Sequence, residues 1–196
     1  MKNLILCAFG LLVITGCAKY DDTQAAKNLQ VPPYTETGAN TFGCLMDGTV
    51  WANFGAYVSQ GGVFTHPTSP SKVRSSIIYY QGTAADTLFV VGAQYSLVKN
   101  GYEMRIEHMS IQLSKNGSLK GTHQLLGTND IFRYDKTNYS SYTSKARNPF
   151  TVIINKDSVV NGGWHIVSGR FYGVVYNYAQ TDSVFISGGV FDTLTQ

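Results

Sequence analysis

An all-β fold, an antiparallel β-sandwich with a partly closed β-barrel as the alternative, is what three features of the 196-residue sequence predict. Gly is frequent and Pro scarce, at 20 and 5 residues, among many Thr, Ser, Tyr and Val, a composition of strands and tight turns. From Asn40 onward, short alternating or wholly apolar runs follow one another between turn residues. Past the N-terminal leader, no stretch carries the pattern of a helix of two turns or more. Charged residues make up only 14% against 43% hydrophobic, which argues against disorder and against a coiled coil. The formal charge of +3, with no run of Lys or Arg, provides no footprint for a nucleic acid backbone.

The elements follow in order. Phe42–Met46, Asp47-Gly48 and Thr49–Trp51 read as a hairpin, because Asp-Gly supplies the positive φ angles of a two-residue type I′ turn. That register sets Met46 opposite Thr49 and Cys44 opposite Trp51. Residues 54–72, rich in Gly, Pro and Ser, read as a long loop or a pair of edge segments. Strands are predicted at Val73–Gln81 and Asp86–Val98, the second apolar on both faces at Leu88-Phe89-Val90-Val91 and therefore central. Along Tyr102–Leu113 the apolar phase runs through Tyr102, Met104 and Ile106, then flips after His108 to Met109, Ile111 and Leu113. Such a flip is the pattern of a β-bulge, or of a strand bending from one sheet to another.

A turn at Lys115-Asn116-Gly117 leads to a strand within Ser118–Leu126. Thr128–Pro149 is polar and Tyr-rich, with room for one short strand at most. Phe150–Asn155 is predicted to end at a Lys156-Asp157 turn, ahead of two long strands at Trp164–Tyr178 and Ser183–Leu194. Those two carry an internal echo, Val167-Ser168-Gly169-Arg170-Phe171 against Ile186-Ser187-Gly188-Gly189-Val190-Phe191. Gly beside an aromatic in a strand suits a bulge or tight sheet packing.

Met1-Lys2-Asn3 precedes an apolar run, Leu4–Ile14, too short for a bilayer span of about 20 residues and suited to a signal-peptide core. Ile14-Thr15-Gly16-Cys17 resembles the lipobox of bacterial lipoproteins. The resemblance implies that residues 1–16 are a cleaved signal peptide and that Cys17 carries diacylglycerol on sulfur and an acyl chain on its new amine. One acyl chain binds a membrane marginally, whereas three make a permanent anchor. Ala18 lacks the Asp that signals inner-membrane retention in such lipoproteins. Lys19-Tyr20-Asp21-Asp22 resembles the acidic export tags on surface lipoproteins of the Bacteroidota, a solvated charged tether being the other reading. The implied address is the outer membrane of a Gram-negative bacterium, on its periplasmic face or at the cell surface. Residues 17–39, with a Pro32-Pro33 pair and no period, read as a flexible lipidated tether, and 40–196 as a single β-sandwich domain. Cys7 leaves with the signal and Cys17 takes lipid, so Cys44 is left without an intrachain disulfide.

The phrase Thr41-Phe42-Gly43-Cys44-Leu45-Met46-Asp47-Gly48-Thr49-Val50-Trp51, together with the C-terminal strands Ser168-Gly169-Arg170-Phe171 and Ile186–Asp192, resembles small β-rich outer-membrane lipoproteins of the Bacteroidota. That resemblance implies location and fold and brings no activity. Its motif residues read structurally, Gly48 for the turn, Cys44 and Trp51 for the core.

Catalytic and metal chemistry find little support in the spacing. His66, His108, His123 and His165 show no metal-ligand pattern, although two strands could bring His108 and His123 together. Ser168 and Ser187 lie in strands rather than on a nucleophile elbow. Cys44, next to Trp51, reads as a buried thiol with nothing nearby to activate it. Glu103 and Glu107 share a strand phase about 14 Å apart with Arg105 between them, wider than a glycosidase pair and more suited to a solvent-facing charge ladder. No cofactor is implied.

Binding is better supported. Residues 129–148 set Phe132, Tyr134, Tyr139 and Tyr142 among Arg133, Lys136, Lys145 and Arg147. If the rings are exposed, Tyr134, Tyr139 and Tyr142 could stack on sugar faces while Arg147 donates hydrogen bonds; if not, they pack as a lid over a sheet end. The expected role is a noncatalytic binding or accessory module for a glycan or an envelope protein. The alternatives are a structural envelope component pairing through an exposed strand edge, and a glycan-active hydrolase. Asp86-Thr87-Leu88, Asp157-Ser158-Val159, Asp182-Ser183-Val184 and Asp192-Thr193-Leu194 resemble Bacteroidota O-glycosylation acceptors, though Asp-Ser/Thr also begins many strands.

Overall fold

The computed structural model describes residues 29–53, 74–79, 86–98, 103–115, 118–136, 140–160 and 162–195. Cys17, the signal peptide, loop 54–72, the Asn116-Gly117 turn and Tyr139 lie outside the described residues. The chain is all-β. Its strands are β1 (Thr41–Met46), β2 (Thr49–Ala52), β3 (Arg74–Tyr79), β4 (Asp86–Val98), β5 (Glu103–Lys115), β6 (Gly121–Leu125), β7 (Ile131–Asp135), β8 (Ser141–Thr143), β9 (Phe150–Val160), β10 (Trp164–Asn177) and β11 (Ser183–Thr195). Among the described residues they form one antiparallel sheet in the order β2-β1-β11-β10-β8-β7-β5-β4-β3, with β9 and then β6 branching from β10. The sheet curls into a nearly closed barrel, as β4 approaches β1 and β2 while β3 approaches β11. Gly92 of β4 permits that approach: a Cβ there would sit 2.7 Å from the Phe42 ring.

β10 is the hub. Trp164–Tyr172 pairs with β9, whereas Tyr176 and Asn177 pair with β8, so one strand serves both halves of the sheet. Its pairing with β11 explains the internal echo. Gly169 lies opposite Phe191, and Phe171 opposite Gly189. Each phenyl ring covers the glycine across from it, so closely that a Cβ at Gly169 would meet the Phe191 ring at 2.8 Å and one at Gly189 would overlap Phe171. Around Phe171 the rings of Phe42, Phe132, Phe150 and Phe191 gather with centroids 4.9 to 6.4 Å away, forming the centre of the core.

The first hairpin has the register its sequence predicts, with Cys44 opposite Trp51 and Met46 opposite Thr49. Asp47 and Gly48 both take positive φ, at 48° and 81°. Four expectations are corrected. β5 pairs with β4 without a register shift from Glu103 to Lys115, so the flip at His108 marks no bulge. Instead Glu107 lies on the core-facing side along with Met109, Ile111 and Leu113, where it accepts hydrogen bonds from Trp51 and Tyr134. The Lys156-Asp157 turn is absent: β9 runs on to Val160, absorbing a register shift opposite Ser168/Gly169. Asp157 accepts the backbone N–H of Leu119 at 2.9 Å, so it fastens the approach to β6 rather than turning the chain. The polar stretch 128–149 holds two short strands, β7 and β8, where at most one was expected.

The fourth correction concerns the tether. Residues 32–39 lie against the barrel, with Pro32 beside Gly43 and the Arg170 guanidinium 4.8 Å over the Tyr34 ring. The fastening is Asp192, 1% exposed, on the outward side of β11. Its carboxylate accepts the backbone N–H groups of Thr37 (3.0 Å), Gly38 (2.9 Å) and Ala39 (3.0 Å) and the hydroxyls of Thr35 (2.5 Å) and Ser168 (2.5 Å). Burial alone would raise its pKa. The Ala39 amide, the Ser168 and Thr35 hydroxyls and the Gly38 amide outweigh it and hold the carboxyl below its ordinary value.

Two outcomes follow from this packing. Gly189→Ala should cost about 1–3 kcal/mol in chemical denaturation, because Phe171 must move off the β11 backbone. Asp192→Asn should cost about 2–3 kcal/mol near neutral pH. A carboxylate whose pKa is depressed in the fold contributes stability above its unfolded pKa of about 3.9 and loses it as pH falls through the folded value. The difference between wild type and Asp192→Asn should therefore narrow in thermal melts as pH drops from 5 towards 2, to a degree set by that one carboxylate.

Candidate functional site

β7 alternates strictly between faces. Phe132 and Tyr134 are buried, whereas Arg133 is exposed and Ile131 and Asp135 are half-buried. The sequence singled out the rings, and they point inward. Tyr134 is 1% exposed and donates its hydroxyl to Glu107 Oε2 at 2.9 Å; Tyr142 is 6% exposed and donates to Asp182 Oδ2 at 2.6 Å. Of the two readings the sequence left open for these rings, Tyr134 and Tyr142 follow the lid-packing one and present no face for stacking on a sugar. Their ring centroids are 6.0 Å apart, and the Lys136 ammonium covers both, 5.7 Å from Tyr134 and 4.8 Å from Tyr142. Burial, then the Glu107 charge and hydrogen bond, push the Tyr134 hydroxyl well above the usual range. The bond to Asp182, then burial, push Tyr142 up, and the same bond lowers Asp182. These hydroxyls remain protonated donors that tie down the barrel end.

Arg147 is exposed, as a contact residue requires. It stacks 4.5 Å over the Tyr176 ring, and Asn148 donates to the Tyr176 hydroxyl at 3.0 Å. In the sequence Tyr176 stands out only as part of a long strand.

The outward sides of β4, β5 and β7 form a cleft of about 280 Å³. Phe89 contributes an aromatic wall, and His108, Ser110, Gln112, Arg133 and Asp135 contribute polar groups. Strand register places them. Ser110 lies opposite Arg133, His108 opposite Asp135, and Phe89 opposite Gln112. Both neighbours of Tyr134 therefore line the cleft while Tyr134 does not. The cleft offers donors in Arg133, acceptors in Asp135, and groups that serve as either in Ser110 and Gln112, all carried on hydrogen-bonded strands. Such a set orients a polar ligand beside an aromatic wall. The signal for it was present in the parity of β7, but the strand itself was not predicted.

Among the described residues, the remaining chemistry-bearing side chains are dispersed. His108 and His123 are not brought together, because β5 and β6 are not neighbours in the sheet; the His123 ring bonds the Leu119 carbonyl at 2.7 Å. Glu107 is half-buried under Trp51 and Tyr134 rather than part of a solvent-facing ladder, and the side chains of Glu103 and Arg105 lie outside the described residues. Cys44 is fully buried, its sulfur 3.7 Å from that of Met109, and burial pushes its thiol up to about 12.

Compared with known proteins, the chain matches no family model, no curated protein and no solved structure.

The Cys44 thiol should not react with an aromatic disulfide reagent at pH 8 in the native protein and should react fully in denaturant. Rapid labelling of Cys44 in native protein would show that the β1–β4 contact opens.

Proposed function

We propose that the chain is a lipid-anchored protein of the Gram-negative cell envelope, held by Cys17 at the outer membrane, whose barrel is a noncatalytic binding or accessory module for a glycan. The observation that carries the ligand class is the outward cleft on β4, β5 and β7, where Phe89 stands beside Gln112, Ser110, Arg133 and Asp135. A sugar ring presents an apolar face and a rim of hydroxyls, and this cleft offers an aromatic wall and a rim of donors and acceptors. Arg133 and Asp135 balance each other in charge, which favours an uncharged ligand over an ionic one. The anchor rests on the lipobox resemblance at Ile14–Cys17. The segment ahead of β1 is tied to the barrel by Asp192 through Thr37, Gly38 and Ala39.

The test is a panel of polysaccharides, starch, xylan, mannan and β-1,3-glucan, presented to the full chain in a non-glycosidic detergent. Wild type should bind at least one, and Gln112→Ala/Asp135→Ala should lose that binding at an unchanged melting temperature. No binding across the panel by folded protein would contradict the glycan reading.

A further inference from the structure

We infer that the outward face of β10 and β11 around Tyr172 and Phe185 lies against the bilayer at the level of the lipid headgroups, which turns the cleft away from the membrane; this rests on the lipid-anchor reading above. Tyr172, Val174 and Tyr176 are successive outward positions of β10, with Phe171 and Val175 buried between them. Tyr172 is 48% exposed, and Phe185, opposite Val174 on the paired strand, is 53% exposed. Just past the end of β10, Tyr178 is 93% exposed. Two exposed arginines bracket the group: Arg170 is the outward residue before Tyr172, and Arg147 stacks over Tyr176. From Arg170 to Tyr176 this column is roughly 20 Å long, at about 3.4 Å per residue.

Phenol rings with an apolar body and a polar tip, flanked by guanidinium groups, suit a membrane interface, where Tyr settles among the headgroups and Arg reaches the phosphates. The acidic groups at the edge of the face already hold protein donors: Asp47 accepts the Phe185 N–H at 2.9 Å, and Asp182 the Tyr142 hydroxyl at 2.6 Å. The segment ahead of β1 borders the face. Tyr34 lies beneath the Arg170 guanidinium, and Pro32 touches Gly43, which shares a row with Arg170 through Val190. Cys17 precedes Pro32 by fifteen residues, a reach of at most about 50 Å, so an anchor there keeps the face at high effective concentration over the lipid. Under that condition a small patch suffices. The cleft opens elsewhere: β4 faces β1 across the core, Gly92 against the Phe42 ring, so Phe89 and the Tyr172–Phe185 pair stand on opposite outward sides. A barrel resting on one side presents the other to its ligand.

The test uses full chain purified from the envelope and reconstituted in vesicles of phosphatidylethanolamine and phosphatidylglycerol, with or without bromine on the acyl chains to quench tryptophan. Phe185→Trp reports from the face and Phe89→Trp from the cleft, each read against wild type, whose Trp51 and Trp164 give the background. Brominated lipid should quench the added emission of Phe185→Trp about twofold or more, as for a ring sunk roughly 5–10 Å to the headgroup–acyl boundary, and leave that of Phe89→Trp unchanged. Quenching of Phe89→Trp, or of neither, in protein that floats with the vesicles and carries acyl chains on Cys17 by mass, would overturn the seating and keep the anchor. A dimer that Tyr172→Ala/Phe185→Ala splits, with Phe185→Trp unquenched, would give the face to a second copy and overturn the seating likewise. Protein without acyl chains that fails to float would overturn the anchor reading, and the seating with it.

Discussion

Register between β10 and β11 is the constraint on which the rest of the barrel depends. Phe171 over Gly189 and Phe191 over Gly169 interlock, because each ring needs a partner with no side chain and, among alignments within one residue, both find one only in this register. A slip of one residue would set Ser168 or Arg170 against the Phe191 ring and turn every inward residue of one strand outward. From this pair the alignment passes to β9 and β8 through β10, and from β8 to β7 and β5. The faces assigned to Tyr134 and Arg133, three strands from β11, follow from that chain of pairings. The aromatic cluster around Phe171 stabilises the same alignment, since Phe42, Phe132 and Phe150 reach it from β1, β7 and β9.

Asp192 adds a second, polar lock at the same pair of strands. Its carboxylate is out of solvent yet accepts from three successive backbone amides and from Ser168 across the strand pair. Taken singly, a buried carboxylate is costly; surrounded by donors, it becomes the reason the segment before β1 lies along the sheet. The segment lies along the outward face near Ile166, Ser168 and Arg170, whereas the cleft is lined by β4, β5 and β7.

Local chemistry made part of this legible in the sequence. Asp47-Gly48 determines its turn, and the turn determines the partners of Cys44 and Met46. The doubly apolar run at Leu88–Val91 marked β4 at the ends it has, and the long strands 164–177 and 183–195 end within a residue of expectation. What failed depends on distant partners. Glu107 reads as solvent-facing until Trp51 and Tyr134 arrive from elsewhere to bond it. Asp157 reads as a turn residue until Leu119 donates to it, and residues 32–39 read as a tether until Asp192, more than 150 positions away, holds them. In the stretch 129–148 the tyrosines carry the sequence signal yet Tyr134 and Tyr142 face the core, whereas Arg133 and Asp135 of the short β7 line the outward cleft.

On the proposed reading, neighbouring residues of β7 have separate duties, the outward ones binding and the inward ones holding the barrel. Polysaccharide affinity and melting temperature measured together for Arg133→Ala and Tyr134→Phe test it most directly. Arg133→Ala should lose affinity and melt as wild type does, and Tyr134→Phe should keep its affinity and melt lower. Loss of binding in Tyr134→Phe at unchanged stability, with Arg133→Ala binding normally, would contradict it.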